Sequence, residues 1–394
     1  MTPNDKSPVK GVLLLTRNFP PLRGGMERLL HALAGELAGR FALDLVGPAG
    51  CEAHASGARS VRSVPLKPVW KFLLGSLVAA WTVARRYRPA VILCGSGVMA
   101  PAAWVVARAC RIPFVVYLHG LDIVTPHLLY QGVFLPAIRR ADAVIVNSGP
   151  TAVLAGKAGV QRERIHIVHP GVTAVRPVMP ADCVAWRTRH HLAGPVLLSV
   201  GRITERKGLA PFLRDCLPAL VAVEPGLTLV VVGGEATLAL GRTGASCLLP
   251  ELKAQVARLG LEAHVRWLGE VAEAELQLAY ASSNVLVFPV QELPGDVEGF
   301  GMVALEAAAS GLPTVAFGVG GVPDAVDPAR SGTLVTPGDA PAFVDAVLAH
   351  LHGRRAAINA QSCRAFADRF CWASRGEALA AALSSVIRPG RARA

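Results

Sequence analysis

The sequence predicts an α/β protein built from two doubly wound domains, each with a parallel sheet between helices. Short apolar runs alternate with segments that carry apolar residues at helical spacing, which is typical of this class. The alternation is interrupted once, by Pro170-Gly171, Pro177 and Pro180, and then resumes. The chain has 394 residues, 52% of them hydrophobic, so it is long and apolar enough for two cores. The predicted division is 1–180 for the first domain, 181–371 for the second, and 372–394 for a terminal helix with a basic tail.

The strands are predicted from short apolar runs, and the helices from apolar residues that recur every three or four positions. In the first domain the predicted strands are 11–16, 42–46, 90–94, 112–118, 143–146 and 165–168. The predicted helices there include 26–37 and 70–84. In the second domain the predicted strands are 196–200, 227–232, 264–268, 285–288, 314–317 and 333–335. Helices are expected between these strands, at 184–190, and at 372–387 near the end of the chain.

Composition limits the classes of function. The eight cysteines show no Cys-x-x-Cys pair and no zinc-type spacing with histidine, so they are expected to be reduced and mostly buried. The formal net charge is +12, but aromatics are 6% and no basic stripe is interleaved with them, which argues against nucleic acid as a partner. The N-terminus lacks the apolar core of a secretory signal, and no apolar run reaches the ~20 residues of a membrane span. A cytoplasmic protein is therefore expected.

The predicted helix 70–84 is apolar and lies among the basic residues Lys67, Lys71, Arg85, Arg86 and Arg88. Two interpretations fit this pattern. The helix could lie on an anionic membrane surface, as basic amphipathic segments do. Alternatively, it could be a core helix whose basic ends reach water. An anionic surface, at the inner face of the plasma membrane, is therefore one candidate partner.

Two carboxylates bracket a glycine-rich loop and a helix in the stretch Glu298-Gly-Phe-Gly-Met-Val-Ala-Leu-Glu306. The glycines let the backbone approach a ligand, and the helix that begins near Met302 is predicted to end at Gly311. First-turn amides of such a helix suit a phosphate or a sugar oxygen, and the two acids suit hydroxyl groups on either side. The alternative interpretation is a capped surface helix with Glu298 in solvent.

A second motif, Gly201-Arg202 followed by Lys207-Gly208, comes directly after the first strand of the second domain. Its arginine offers a bidentate fork, its lysine a point charge, and its glycines a close backbone approach, which together suit a pyrophosphate. The intervening Glu205 and Arg206 are expected to be solvated. A solvated basic turn is the alternative for the whole motif.

The first domain carries polar motifs at the ends of three predicted strands. Gly24-Gly25 precedes a helix and forms either a glycine loop at an anion-binding helix N-terminus or a simple tight turn. His119-Gly-Leu-Asp122 follows the strand 112–118, where a histidine can hydrogen-bond a sugar hydroxyl or orient a departing phosphate. The aspartate of this motif would orient the histidine or cap the next helix. Asn147-Ser148-x-x-Thr151 predicts a helix N-cap.

The order and spacing of these motifs resemble the retaining nucleotide-sugar glycosyltransferases of family 4, over nearly the whole chain from Phe19 to Trp372. The resemblance implies the GT-B architecture, with two Rossmann-like domains facing an interdomain cleft and a terminal helix that crosses back to the first domain. It also implies transfer of a hexose from a nucleotide diphosphate sugar with retention at the anomeric carbon. Neither a metal nor another cofactor would be required.

The same resemblance implies roles for individual residues. Glu298 would meet the donor hexose and Glu306 the nucleotide ribose, while Arg202 and Lys207 would hold the phosphates. His119, Glu298, Arg202 and Lys207 form the implied catalytic set. Backbone near 266–269 would hold the base. The remaining residues implied to bind the donor are Gly24, Gly25, Gly299, Phe300, Gly301, Met302 and Val303.

Two segments indicate a donor and an acceptor class. His169-Pro170-Gly171-Val172 stands where many family members have Pro-Asn-Gly-Val, and Gly295-Asp-Val-Glu-Gly-Phe-Gly301 is loosely similar to bacterial lipid (phosphatidylinositol-type) mannosyltransferases. The expected function is transfer of mannose from GDP-mannose to a lipid-linked or polysaccharide acceptor. The alternatives are a UDP-sugar-dependent transferase that makes a soluble or cell-envelope glycoside, a sugar-nucleotide epimerase of the same architecture, and a non-catalytic nucleotide-sugar-binding protein.

Overall fold

The protein is described here by a computed structural model that covers residues 10–175, 178–235 and 248–387. The chain forms two compact units, Met1–Gly171 together with Trp372–Ala394, and Val172–Cys371. The boundary follows Gly171, whereas the boundary predicted from the sequence follows residue 180. It lies there because Val172 already pairs within the second unit, where its N–H donates to the carbonyl oxygen of Phe370 at 2.8 Å. Pro177 and the predicted basic tail, residues 388–394, lie outside the described residues.

The first unit is built on a seven-stranded sheet with parallel neighbours throughout. Its strands are β1 (Gly11–Leu15), β2 (Ala42–Pro48), β3 (Ser60–Val64), β4 (Val91–Cys94), β5 (Phe114–Leu118), β6 (Ala143–Val146) and β7 (Ile165–Ile167). The spatial order is β3-β2-β1-β4-β5-β6-β7. Strands β4, β5 and β6 are fully buried, as expected for a parallel sheet covered on both faces.

The second unit repeats this plan with six parallel strands. They are β8 (Val196–Val200), β9 (Thr228–Val232), β10 (Val265–Gly269), β11 (Val285–Phe288), β12 (Thr314–Phe317) and β13 (Gly332–Val335). The spatial order is β10-β9-β8-β11-β12-β13, so the direction of winding reverses between β8 and β11, as it does between β1 and β4. Ligands of doubly wound sheets bind outside the carboxyl ends of the strands at this switch point. The predicted fold of two doubly wound parallel sheets is confirmed.

Helices connect the strands. In chain order they are α1 (Gly25–Ala38), α2 (Val69–Tyr87), α3 (Ala100–Cys110), α4 (Leu121–Val124), α5 (Leu135–Arg139), α6 (Gly149–Lys157), α7 (Pro180–Arg189), α8 (Leu209–Pro211), α9 (Leu217–Val223), α10 (Leu248–Arg258), α11 (Glu273–Ser282), α12 (Met302–Ser310), α13 (Val322–Ala325), α14 (Ala340–Leu351), α15 (Ala360–Ala367) and α16 (Trp372–Val386). The last of these packs against α1 and β6 within the first unit, with Leu379 and Leu383 buried.

Strand β3 is not predicted from the sequence. This strand reads Ser-Val-Arg-Ser-Val, its third and fourth residues are exposed, and it lies at the edge of the sheet, paired with β2. An edge strand buries little apolar surface, so its sequence carries neither an apolar run nor a clear alternation. The register is instead set by the neighbouring β2.

Helix α2 presents different faces to the core and to the solvent. Phe72, Ala80 and Val83 are buried in the core of the first unit. A row of large apolar side chains at helical spacing is exposed on the outer side: Trp70, Leu74, Val78 and Trp81. Among the described residues, no helix has the length and hydropathy that would let it cross a bilayer.

Candidate active site

Polar residues gather at the switch point of the second unit. Arg202 and Lys207 follow β8, and Glu298 lies in the segment between β11 and α12. Because β8 and β11 are adjacent parallel strands, the segments that leave their carboxyl ends meet at one edge of the sheet. The fold therefore brings two motifs that are far apart in the sequence into contact.

A cluster of ion pairs joins these segments. The ammonium group of Lys207 donates a hydrogen bond to Oε2 of Glu298 at 2.8 Å. Nη1 of Arg206 lies 3.2 Å from the same oxygen, and its Nε lies 3.1 Å from Oδ1 of Asp296. The guanidinium of Arg206 also donates to the carbonyl oxygen of Val297 at 2.6 Å. The expectation that Arg206 is solvated is wrong, because its side chain is only 9% exposed and pairs with Asp296 and Glu298.

The cluster sets the protonation of its members. Burial by itself would raise the pKa of Glu298, but the charges of Lys207, Arg206 and Arg202 outweigh burial and hold that pKa below its usual value. Burial lowers the pKa of Lys207, and the nearby Arg206 and Arg202 add to that effect against the opposing pull of Glu298. The three cations Arg202, Arg206 and Lys207 outnumber the two carboxylates Asp296 and Glu298, so the local charge is positive and suits an anionic ligand. Arg202 is exposed, whereas Lys207 is held by Glu298, so the motif as a whole is not a solvated basic turn.

The turn that carries Lys207 is fitted closely to β11. Gly208 has a positive φ of 70°, and a Cβ at this position would overlap the carbonyl oxygen of Pro289. The ammonium group of Lys207 lies 4.7 Å from the ring centroid of Phe288, which favours a cation over the ring. The backbone oxygen of Glu298 accepts a hydrogen bond from Gly321 N–H at 2.8 Å, which fixes the loop from its other side.

Helix α12 begins where the loop ends. Gly301 caps it with a φ of 96°, in the left-handed region that glycine adopts without strain, and Gly311 ends it as predicted. Phe300 and Val303, on either side of this cap, are buried. Glu306 accepts a hydrogen bond on Oε2 from the hydroxyl of Tyr280, at 3.0 Å. The interpretation of this stretch as a solvated surface helix is wrong, because both acids are held by buried partners.

The predicted glycine loop of the first unit already contains a carboxylate. Helix α1 begins at Gly25, and Glu27 in its first turn is buried and accepts a hydrogen bond from Asn18 Nδ2 at 2.7 Å. A Cβ added at Gly24 would clash with Oε2 of Glu27. Glu27 therefore provides part of the negative charge that the positive end of α1 attracts. Burial lowers the pKa of the neighbouring Arg17, against the opposing effect of Glu27.

His119 is buried at the carboxyl end of β5. Its Nε2 lies 2.8 Å from the carbonyl oxygen of Gly95, and because a carbonyl only accepts, the proton of the neutral ring is assigned to Nε2. Nδ1 is then the acceptor nitrogen. Asp122 accepts from the backbone N–H of His119 at 3.2 Å and lies in the first turn of α4. Burial raises the pKa of Asp122, against the opposing effects of His119 and of the backbone N–H groups of His119 and Gly97. Asp122 thus braces the backbone of the histidine, and no ring contact joins the two in the described hydrogen bonds.

Two further motifs have structural positions. Ser148 is the N-cap of α6, and its Oγ accepts from Thr151 N–H at 3.2 Å, so the predicted N-cap is confirmed. His169 contacts the preceding polar turn, with Nδ1 3.0 Å from the carbonyl oxygen of Asn147. At the end of β9, Gly233 N–H donates to Gly269 O at 2.7 Å, so this carbonyl of the predicted base-binding segment already has a partner in the protein.

Comparison with known proteins decides the family. A model described as Glycosyltransferase Family 4 matches residues 23–176, and one described as Glycosyl transferases group 1 matches residues 194–352. A GDP-mannose-dependent alpha-(1-6)-phosphatidylinositol monomannoside mannosyltransferase of Mycolicibacterium smegmatis is 31% identical over 389 residues, which are 95% of this chain and 98% of that protein. The chain belongs to the family 4 glycosyltransferases. A D-inositol 3-phosphate glycosyltransferase of Nocardia farcinica is also 31% identical, over 72% of this chain and 64% of that protein.

Solved structures agree in fold with this family 4 glycosyltransferase. Anabaena HepE in complex with UDP has a TM-score of 0.78 at 24% identity, over 96% of this chain and 100% of that chain. Sucrose-phosphate synthase from Thermosynechococcus elongatus has a TM-score of 0.76 at 22% identity, over 96% of this chain and 99% of that chain. The neighbours are GT-B glycosyltransferases, so the predicted GT-B class is confirmed.

Three residues of the site escape sequence reasoning. Arg206 and Asp296 form part of the ion cluster, and Tyr280 holds Glu306. Arg206 is adjacent to Lys207, so a third cation in the same turn was the feature of the sequence that could have indicated its role. Tyr280 lies on α11 and belongs to no recognisable sequence motif. It meets Glu306 only because α11 packs against α12 in the fold.

Proposed function

We propose that this glycosyltransferase moves mannose from GDP-mannose to a lipid-linked or glycan acceptor, with retention at the anomeric carbon. The observation that carries the proposal is the buried cluster in which Lys207 and Arg206 meet Glu298 beside α12. With Arg202 nearby, three cations stand against the carboxylates of Glu298 and Asp296, so the excess positive charge suits a diphosphate, and Glu298 suits the hydroxyls of a hexose attached to it. GDP-mannose is favoured as donor because relatives named for that donor align with 95% and 88% of this chain.

The residues have distinct roles in this proposal. Arg202 and Lys207 bind the diphosphate as a fork and a point charge, with the first-turn amides of α12 and the backbone at Gly299, Phe300, Gly301, Met302 and Val303 completing the cradle. Glu298 accepts hydrogen bonds from hexose hydroxyls, and Glu306, braced by Tyr280, accepts them from the ribose. Gly24 and Gly25 contribute backbone on the first unit.

The proposed chemistry follows from these positions. The bond between the anomeric carbon and the diphosphate oxygen breaks, and a bond to the acceptor oxygen forms on the same face of the sugar. The proton of the acceptor hydroxyl passes to the departing phosphate oxygen. His119 hydrogen-bonds the sugar through Nδ1, since its Nε2 proton is directed at Gly95. Arg202 and Lys207 neutralise the diphosphate, so the reaction does not depend on a divalent cation.

A lipid-linked acceptor would bring the protein to an anionic membrane surface. The exposed row Trp70, Leu74, Val78 and Trp81 supports the amphipathic interpretation of α2, and Lys71, Arg85 and Arg86 flank it. Apolar side chains bordered by cations suit the interface of an anionic leaflet. The same helix also buries a core face, so the two interpretations of its sequence apply to opposite sides of one helix.

A UDP-sugar-dependent transferase is the second candidate, favoured by one observation. The similar HepE structures contain UDP or UDP-glucose. The diphosphate cradle is common to both donors, so the cluster around Glu298 does not distinguish them. The family resemblance assigns recognition of the base to the backbone near residues 266–269 instead.

A thermal-shift panel with GDP-mannose, UDP-glucose, UDP-galactose, UDP-N-acetylglucosamine, GDP and UDP tests the proposal. A ligand that binds the folded protein at 100 times its Kd stabilises it by about 2.7 kcal/mol. Selective stabilisation by GDP and GDP-mannose is the expected result. Selective stabilisation by a UDP-sugar would contradict GDP-mannose as the donor but would still support a glycosyltransferase. No shift with any compound would contradict the proposed donor site.

A further inference from the structure

Arg206 precedes Lys207, the lysine that the proposed function assigns to the diphosphate, and is buried. Its side chain points beneath the loop that carries Glu298, with contacts to Asp296 at 3.1 Å, Glu298 at 3.2 Å and the Val297 carbonyl oxygen at 2.6 Å. Its own backbone oxygen accepts from Gln291 N–H at 2.8 Å. Arg206 therefore ties both ends of the 291–298 segment to the turn after β8.

Lys207 and Arg206 share one oxygen of Glu298, and a donor would change this arrangement. Under the proposed function Lys207 binds the diphosphate, which competes with Oε2 of Glu298 for the ammonium protons. Arg206 faces the loop, where its guanidinium is occupied by Val297 and Asp296. It is therefore the cation that stays with Glu298 when Lys207 turns to the phosphate.

We propose that Arg206 is a positioning residue, which holds the Glu298 carboxylate ionised and in place for the hexose while Lys207 engages the diphosphate. This inference rests on the proposed function and assigns Arg206 to the sugar rather than to the nucleotide. The planar guanidinium suits this role because it can contact a carbonyl and two carboxylates at once, whereas a lysine ammonium is a point charge. The charged groups around Glu298 are Lys207, Arg206 and Arg202, with Asp296 on the far side of Arg206.

The test compares Arg206→Met and Arg206→Lys with a control, Arg214→Met. Arg214 is an exposed arginine of the same unit, paired with Asp215. For each protein, the Kd of GDP and of GDP-mannose, kcat and KM for the donor, the pH profile and the melting temperature are measured. We expect Arg206→Met to lower kcat by about 10²-fold, the size expected when a reacting group is displaced by about an ångström. GDP affinity should change less than GDP-mannose affinity.

The pH profile separates positioning from a merely structural role. Removing a cation beside Glu298 raises the pKa of that carboxyl, so in Arg206→Met the acidic limb of kcat should move to higher pH. Arg206→Lys keeps the charge, so it should keep the wild-type limb and recover part of the lost kcat. Arg214→Met should match the wild type in every measurement.

Each result decides the proposal. Wild-type kcat and pH profile in Arg206→Met would overturn it, as would parallel losses of GDP affinity, GDP-mannose affinity and melting temperature in both variants. If Arg206→Met does not fold, a folded Arg206→Lys with wild-type kcat would overturn it instead. Failure of the proposed function is seen separately, as a wild-type protein that binds none of the nucleotide sugars.

Discussion

At the scale of single residues, the Glu298 carboxyl is subject to opposing effects of burial and of nearby cations. Its carboxylate is mostly buried, which disfavours the charge, yet three cations keep its pKa low. A buried ion of this kind is costly to leave without partners, so the loop, the turn after β8 and the cations depend on one another. The same dependence makes the residue informative to mutate.

Glu298→Gln keeps the size of the side chain and removes its charge. We expect kcat to fall by about 10²–10³-fold, comparable to losing one preorganised group at a developing charge. GDP affinity should be retained or increased, because a competing anion beside Lys207 is removed. The control is Glu292→Gln, on the exposed part of the same loop. Unchanged turnover of Glu298→Gln in a donor-saturated assay would exclude Glu298 from the reaction.

Tyr280→Phe tests the second acid. The substitution removes the 3.0 Å hydrogen bond to Glu306 and leaves the ring in place. A hydrogen bond to a charged group is worth about 1.5–3 kcal/mol, so we expect the donor KM to rise by roughly tenfold or more while kcat changes little. A change in kcat at constant KM, measured by initial rates, would contradict the assignment of Glu306 to the ribose.

At the scale of elements, the turn after β8 is the least tolerant part of the site. Gly208→Ala places a Cβ against the Pro289 carbonyl oxygen at a positive φ of 70°. We expect this substitution to lower the free energy of unfolding by about 3 kcal/mol or more, because the backbone at residue 208 is strained and β11 is displaced.

The matched control is Gly35→Ala in α1, where an added Cβ meets nothing within 4 Å. It should stabilise the protein by up to about 1 kcal/mol, because alanine favours a helix over glycine. Denaturant unfolding of both variants measures the difference. Equal midpoints for the two variants would mean that the Gly208 turn adapts without cost.

At the scale of the whole molecule, the net charge of +12 is distributed unevenly along the sequence. Residues 53–121 contain nine Lys or Arg and no Asp or Glu. The exposed apolar row of α2 lies within this stretch. A surface with this combination should bind anionic lipid more strongly than neutral lipid.

Liposome flotation tests this expectation. The wild type should float with vesicles of phosphatidylcholine and 30% phosphatidylglycerol (about one anionic lipid in three), and less so as salt is raised, since screening weakens surface charge. Replacing Lys71, Arg85 and Arg86 by Gln should weaken the affinity for these vesicles by about 10²-fold, because each cation contributes ~1 kcal/mol to binding. The fraction of protein that floats should fall accordingly.

The control replaces three exposed basic residues of the second unit, Lys253, Arg258 and Arg354, by Gln. It has the same net charge as the α2 variant. Equal flotation of the two triple variants would show that net charge alone, rather than the α2 surface, drives binding. Absence of flotation by the wild type would contradict the proposed binding to an anionic membrane surface.

The sequence by itself determined the α/β class, the two parallel sheets, the family resemblance, and the positions of Arg202, Lys207, Glu298 and Glu306 along the chain. These follow from short-range patterns, namely apolar runs, helical spacing and glycine turns, which are readable without knowing which segments meet. The resemblance also depends on the order of motifs, which the fold preserves.

The tertiary structure alone decided the edge strand β3, the burial of Arg206, and the hydrogen bond from Tyr280 to Glu306. The physical reason is that each depends on partners distant in sequence. A polar pentapeptide becomes a strand because β2 offers hydrogen-bonding groups, and an arginine becomes buried because a carboxylate loop from the end of β11 covers it. Local sequence patterns predict which residues are candidates for binding and catalysis. Tertiary packing determines the partners that set the charge and position of these residues.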